Sequence, residues 1–98
     1  MVITQNFLTL GKQARGDSNK AVLFSKPLEK IIIHWIGPYP GHNPAGVRGW
    51  WENGSDGRGV RASAHFVVKD DEILQCLPLG EMGRHSGDSR NYNSIGIE

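Results

Sequence analysis

Residues 30–35 read Lys30-Ile31-Ile32-Ile33-His34-Trp35, and this stretch decides the fold class. Branching at Cβ restricts χ1 and suits a pleated surface, so three isoleucines in a row predict extended backbone, here a strand over residues 30–36. An uninterrupted apolar run predicts that this strand is covered on both faces. Its C-terminal end carries His34, on the edge where open α/β sheets keep their ligand sites. Imidazole is a common metal ligand and also moves protons near neutral pH. A histidine in that position can equally be a core or rim residue with both nitrogens satisfied. On this segment alone both readings stand.

Working outward, residues 1–29 predict an arm packed on the domain, with one short strand. After the isoleucine strand, Gly37-Pro38-Tyr39-Pro40-Gly41 breaks regular structure. Asn43-Pro44 then reads as an N-cap followed by proline at the first helical position. Val47, Trp50 and Trp51 fall at i, i+3 and i+4, which predicts one apolar helix stripe, with both tryptophans in the core rather than forming a sugar-stacking platform. Asn53-Gly54 is a stop signal for that helix. Residues 54–61 read as a glycine-rich loop. Residues 63–69 predict a second strand, Asp70-Asp71 a hairpin turn, and residues 72–77 the return strand. Residues 78–93 are loop-rich. Over residues 94–98 the alternation puts Ile95 and Ile97 on one face, Gly96 and Glu98 on the other. These elements describe a single α/β domain over residues 1–98.

Composition narrows the possible functions. The chain has 98 residues, 38% of them hydrophobic, and a net charge of +1 from 11 basic and 10 acidic side chains. A nucleic-acid footprint needs a basic excess that is not present, so no nucleic-acid partner is expected. The single cysteine, Cys76, can form no internal disulfide and sits in an apolar run, which predicts a core thiol. No stretch predicts a membrane span, and the first residues lack the basic and apolar regions of a signal peptide.

Four histidines are present, His34, His42, His65 and His85. None belongs to a local zinc signature such as His-Glu-x-x-His. Catalytic zinc needs three protein ligands and an open position, and distant segments can supply them. Glu98 taken alone reads as an exposed terminal residue; sharing its face with a glycine, its carboxylate can also look into open space, where beside a metal-bound water it would suit a general base.

Five ordered blocks carry more than any one residue. These are Ile31-Ile32-Ile33-His34-Trp35, Arg61-Ala62-Ser63-Ala64-His65-Phe66-Val67-Val68, Glu72-Ile73-Leu74-Gln75-Cys76-Leu77-Pro78, Arg84-His85-Ser86-Gly87 and Asn93-Ser94-Ile95-Gly96-Ile97-Glu98. In this order they resemble the type-2 N-acetylmuramoyl-L-alanine amidases, relatives of the peptidoglycan-recognition proteins. The stretch Ile3-Thr4-Gln5-Asn6-Phe7-Leu8, with Arg15, looks most like phage endolysins and autolysins of Gram-positive bacteria.

The resemblance implies a mixed central β-sheet flanked by helices. It implies a zinc hydrolase that cuts the amide between N-acetylmuramic acid and the first L-alanine of the stem peptide, with peptidoglycan as partner. His34 matches the first zinc ligand. Glu98 matches the acid that activates the water in one branch. Another branch carries a tyrosine where this chain has Ala64, which favours the glutamate branch. His85 matches a histidine at the cleft rim, expected to bind substrate, and His65 one that is structural. His42 matches nothing and is expected to be exposed. Arg61, Arg84 and Arg90 have the geometry to pair with stem-peptide carboxylates, although solvated loop arginines are the plainer reading.

The family's other two zinc ligands find no matching position here. The expectation is therefore that residues 1–98 are the N-terminal part of an amidase catalytic domain, truncated on its C-terminal side. Such a piece alone is expected to be inactive and to bind zinc weakly. A cell-wall-binding module is expected C-terminally in the parent protein. The enzyme is expected in the host cytoplasm before release and then at the wall. Two other readings remain: a muropeptide-binding module without a complete zinc site, and a different metal site built from His34, His65 and His85.

Overall fold

The computed structural model describes residues 2–8, 23–35, 43–52, 62–86 and 89–98. They form five strands, β1 (Ile3–Gln5), β2 (Lys30–Ile33), β3 (Phe66–Lys69), β4 (Glu72–Gln75) and β5 (Ser94–Ile97). One α-helix, α1 (Pro44–Glu52), follows β2, and a 3-10 helix (Ser89–Asn93) leads into β5. The strands make one mixed sheet in the order β1-β4-β3-β5-β2. β3 and β4 are an antiparallel hairpin, while β1 on β4, β5 on β3 and β2 on β5 are parallel pairs. The hairpin turns at Asp70-Asp71 as expected. Asp70 adopts φ 54°, a left-handed conformation that aspartate tolerates better than most residues.

The N-terminal arm is fastened by more than its short strand. Asn6 and Leu8 donate backbone N–H groups to the carbonyls of Gln75 and Cys76, at 3.0 and 2.8 Å. Arg48 on α1 donates from Nε to Asn6 O (2.6 Å) and from Nη2 to Phe7 O (2.7 Å). Leu8 thereby reaches a core that also holds Val47, Trp51, Ala64, Val67, Leu74, Cys76 and Leu77. Burial pushes the Cys76 thiol up to about 12, against a weaker pull from Arg48, so this cysteine is an inert core side chain.

The helix starts where its cap predicts. Asn43 Oδ1 accepts from the Gly46 N–H at 2.7 Å, and the Asn43 carbonyl accepts the first helical bond, from Val47, at 3.0 Å. Replacing Asn43 with alanine is expected to cost about 1 kcal/mol of stability. The check is a lower urea midpoint at unchanged slope; no shift would show that the cap contributes nothing.

Two packing expectations are corrected. Trp51 is 4% exposed and lies in the core, but Trp50 is 55% exposed. Successive helical residues stand about 100° apart, so the stripe through Pro44, Val47 and Trp51 turns Trp50 toward the flank. Likewise, among the described residues β2 is not covered on both faces: Ile31 and Ile33 are 64% and 77% exposed. Among the described residues β2 is the last strand in the sheet order, with β5 as its hydrogen-bonded neighbour. Three isoleucines report the backbone's preference for extension, which edge and centre share. The strands are also shorter than expected: β2 stops at Ile33, β3 begins at Phe66 and β4 ends at Gln75.

The expected breaker after β2, the helix stop at Asn53-Gly54 and the loop at 54–61 lie outside the described residues, as do Arg15, His42 and Arg61. Among the described residues, no helix is long and apolar enough to cross a membrane.

Candidate functional site

The parallel pairing of β2 with β5 creates the site. Ile33 stands opposite Ile97, so the next residues, His34 and Glu98, lie side by side at the carboxyl ends of the two strands. His34 N–H continues the ladder to Ile97 O at 2.8 Å. Glu98 is pinned on its other side by β3, donating its N–H to Phe66 O and accepting from Val68 N–H, both at 2.9 Å. Alternation along β5 places Ser94, Gly96 and Glu98 on one face.

That face is not open above Gly96, contrary to expectation. A Cβ built on Gly96 would lie 2.5 Å from Cγ and Cδ2 of His85 and 2.9 Å from its Nδ1. The His85 imidazole rests directly on the strand, and glycine is the residue that permits it. On its other side, Gly83 lies close enough that a Cβ there would meet His85 Cδ2 at 3.2 Å.

From this seat His85 reaches His34. His34 Nε2 and His85 Nδ1 are 3.0 Å apart, with the rings edge to face at a centroid distance of 5.1 Å. His85 Nε2 faces Ser94 Oγ at 3.4 Å. Asn91 holds the segment bearing His85. Its buried Oδ1 accepts from the N–H groups of His85 (3.1 Å) and Ser86 (3.0 Å) and from the Ser86 hydroxyl (2.9 Å).

His65 is buried beneath the site with both ring nitrogens assigned. Nε2–H donates to Glu81 O at 2.6 Å, and Nδ1 accepts from Gly96 N–H at 3.1 Å. Its ring stacks on Phe24, with centroids 5.9 Å apart. Burial lowers its pKa, partly opposed by the bond to Glu81, so the ring is neutral. To bind a metal it would have to release one of these bonds, which removes His65 from the three-histidine metal reading and leaves it a structural strap between β5 and the 81 region.

Glu98 differs. Burial raises its pKa, and the nearby charge of His34 pulls it back. A carboxylate shifted upward beside an imidazole takes and returns a proton more readily than a fully solvated one. Arg84 is anchored by its backbone to Ser63, in both directions at 3.0–3.1 Å, and its buried Nε has no hydrogen-bond partner among the described residues. Arg90 is exposed, and its carbonyl accepts the Ser94 hydroxyl.

The donors present fit part of a metal site. His34 offers an imidazole whose Nδ1 makes no hydrogen bond among the described residues, with a carboxylate next to it. This suits one position of a zinc site. Among the described residues no group of three His, Cys, Asp or Glu side chains could hold an ion. His34 therefore fits as one donor of a set whose other donors lie elsewhere.

Sequence reasoning named His34, Glu98 and His85 but missed their mutual contacts, and it missed Asn91 and Ser94. The available signal was the Ser94-x-Gly96-x-Glu98 alternation, which places a hydroxyl, a gap and a carboxylate in a row.

Residues 24–98 match the N-acetylmuramoyl-L-alanine amidase family. The N-acetylmuramoyl-L-alanine amidase XlyA of Bacillus subtilis (strain 168) is 59% identical over 39 aligned residues, which cover 37% of this chain and 13% of that protein. The solved catalytic domain of XlyA superposes with a TM-score of 0.72 at 31% identity, over 100% of this chain and 60% of that one. A mutant endolysin from Bacillus subtilis gives 0.71 and 31%, over 99% and 59%. The chain thus spans about three fifths of the solved domains it resembles and a much smaller part of the full-length relative. With the mixed sheet, the family match and these likenesses in agreement, the chain belongs to the type-2 N-acetylmuramoyl-L-alanine amidase family.

Proposed function

We propose that the protein carrying this chain is a zinc-dependent peptidoglycan hydrolase that cleaves the amide between N-acetylmuramic acid and L-alanine of the stem peptide. The observation that carries this reading is the pair His34 and Glu98, side by side at the ends of β2 and β5. In this reading His34 is a zinc ligand, and the remaining donors come from outside the described residues. Zinc, when bound, polarises the scissile carbonyl and acidifies water. Glu98 takes a proton from the attacking water on its carboxylate and passes it to the leaving amine. His85, on the same face, borders the substrate. Ala64, fully buried before His65, leaves this proton transfer to the glutamate. The amide's poor reactivity explains why both groups are needed together.

A muropeptide-binding module is the second reading. It is disfavoured by Glu98, since a binder has no need of a carboxylate shifted upward beside a histidine. Zinc analysis of the intact protein and its His34→Ala variant, alongside stem-peptide release from purified walls, separates the two. The hydrolase reading expects zinc and release in the wild type, both abolished in His34→Ala. Wall binding with neither zinc nor release would leave the module reading, and zinc persisting in the variant would remove His34 from the ligand set.

A further inference from the structure

We infer that His65 is a positioning residue for Glu98 and His85: its imidazole holds the Gly96 N–H, and Gly96 is the backbone unit on which both depend. The catalytic half rests on the hydrolase reading with Glu98 as proton acceptor; the hold on Gly96 can be tested without it.

The partners fix the state of the His65 ring by themselves. A backbone N–H only donates and a backbone carbonyl only accepts. Gly96 N–H at 3.1 Å therefore requires a bare Nδ1, and Glu81 O at 2.6 Å requires a proton on Nε2. The ring is a neutral link with one accepting end, on β5, and one donating end, on the 81 region.

The accepting end answers an irregularity in the sheet. Glu98 donates to Phe66 O and accepts from Val68 N–H, in step with the register that sets Phe66 opposite Ile97. Continued backwards, that ladder would bring the Phe66 N–H to Gly96 O, yet the 2.9 Å bond there comes from His65, one residue earlier. Residues 65 and 66 thus face a single carbonyl of β5, the count of a β-bulge, which disrupts the ladder locally and re-aims a side chain. The Gly96 N–H goes to the imidazole of the extra residue.

Gly96 sits between two functional groups. The His85 ring lies 2.5 Å from where its Cβ would be, and Glu98 follows two residues on. Glycine has no side chain to anchor it and the freest backbone of any residue, so β5 is easiest to displace at this point. The bond to His65 removes that freedom. The two imidazoles meet Gly96 from different directions, with ring centroids 6.4 Å apart and planes at 70°, so the hold is indifferent to the protons on His85.

The two ends of the link can be cut separately. His65→Asn puts an amide oxygen where Nδ1 stands and gives up the bond to Glu81. His65→Gln puts its amide at the place of Nε2 and gives up the bond to Gly96. Both variants of the intact protein are expected to unfold at lower urea than wild type. In His65→Asn the Gly96 amide is expected to stay protected from hydrogen exchange, with stem-peptide release near wild type. In His65→Gln that amide is expected to exchange faster and kcat to fall by about 10–100-fold at similar KM, the effect of a reacting group displaced by up to about 1 Å. Turnover that follows the urea midpoint and ignores the Gly96 amide would make His65 a stability residue alone and overturn the inference. Should a variant fail to fold, long-range ¹H–¹⁵N spectra of wild-type His65 at neutral pH decide: a bare Nδ1 is expected, and a proton on Nδ1 would overturn the inference. An inactive wild type with Gly96 protected as expected would instead remove the hydrolase reading and leave the hold on Gly96 standing.

Discussion

Glu98→Gln is expected to lower stem-peptide release by about 10²–10⁴-fold, the usual worth of a positioned proton acceptor. The two side chains have the same shape, and the backbone bonds that fix position 98, to Phe66 and Val68, do not involve the side chain. The sheet should therefore remain intact. His34 loses no hydrogen bond in this variant, since its ring bonds to His85. Zinc content and KM are expected to stay close to wild type while kcat falls, the pattern of an interaction made in the transition state. A variant that keeps wild-type turnover would assign the proton transfer to another group.

The largest stability effect is expected at His65. Replacing it with leucine keeps the volume but leaves the Gly96 N–H and the Glu81 carbonyl without the ring that pairs them. A buried N–H left without a partner costs about 1–3 kcal/mol, so the loss at Gly96 alone is a sizeable part of the 5–15 kcal/mol typical of a domain. Urea unfolding should show it plainly; a midpoint within a few tenths of wild type would mean that water or backbone adjustment replaces both bonds.

The same residue sets a pH dependence. Burial lowers its pKa in the fold, so below the ordinary histidine value of about 6.5 the unfolded chain takes a proton that the folded chain refuses. Stability from this group is full above that value and is lost as pH falls. His65→Gln should flatten the slope of stability against pH below about 6.5, measured by unfolding at several pH values. An unchanged slope would place the proton uptake elsewhere.

Much of this arrangement could be read in the residues, where the physics is local. The isoleucine run gave extended backbone, Asn43-Pro44 gave a helix start, and Asp70-Asp71 gave a turn, because each depends on φ, ψ and a neighbour or two. His34 and Glu98 were legible as chemistry-bearing strand ends. What was hidden depends on pairing. Ile31 and Ile33 are exposed because no described element packs over their face of β2, a matter of tertiary arrangement that the strand's own residues do not encode. The contact between His34 and His85 joins positions 51 apart, and it exists because parallel pairing brings Gly96 beside β2. The same pairing turned the gap above Gly96 from expected open space into the seat of His85. Trp50 shows the limit of a stripe argument: a spacing of i+3 from Val47 fits the helix period, yet Trp51 takes the one place the sheet offers.

The central claim is that His34 and Glu98 belong to an amidase site. Mass spectrometry of purified peptidoglycan digested by the intact protein tests it most directly. The account predicts stem peptides with a free L-alanine amino terminus and glycan strands that keep their lactyl groups, both absent from digests with Glu98→Gln. Glycan strands with new reducing ends, peptides cut at any other bond, or products that persist in that variant would contradict it.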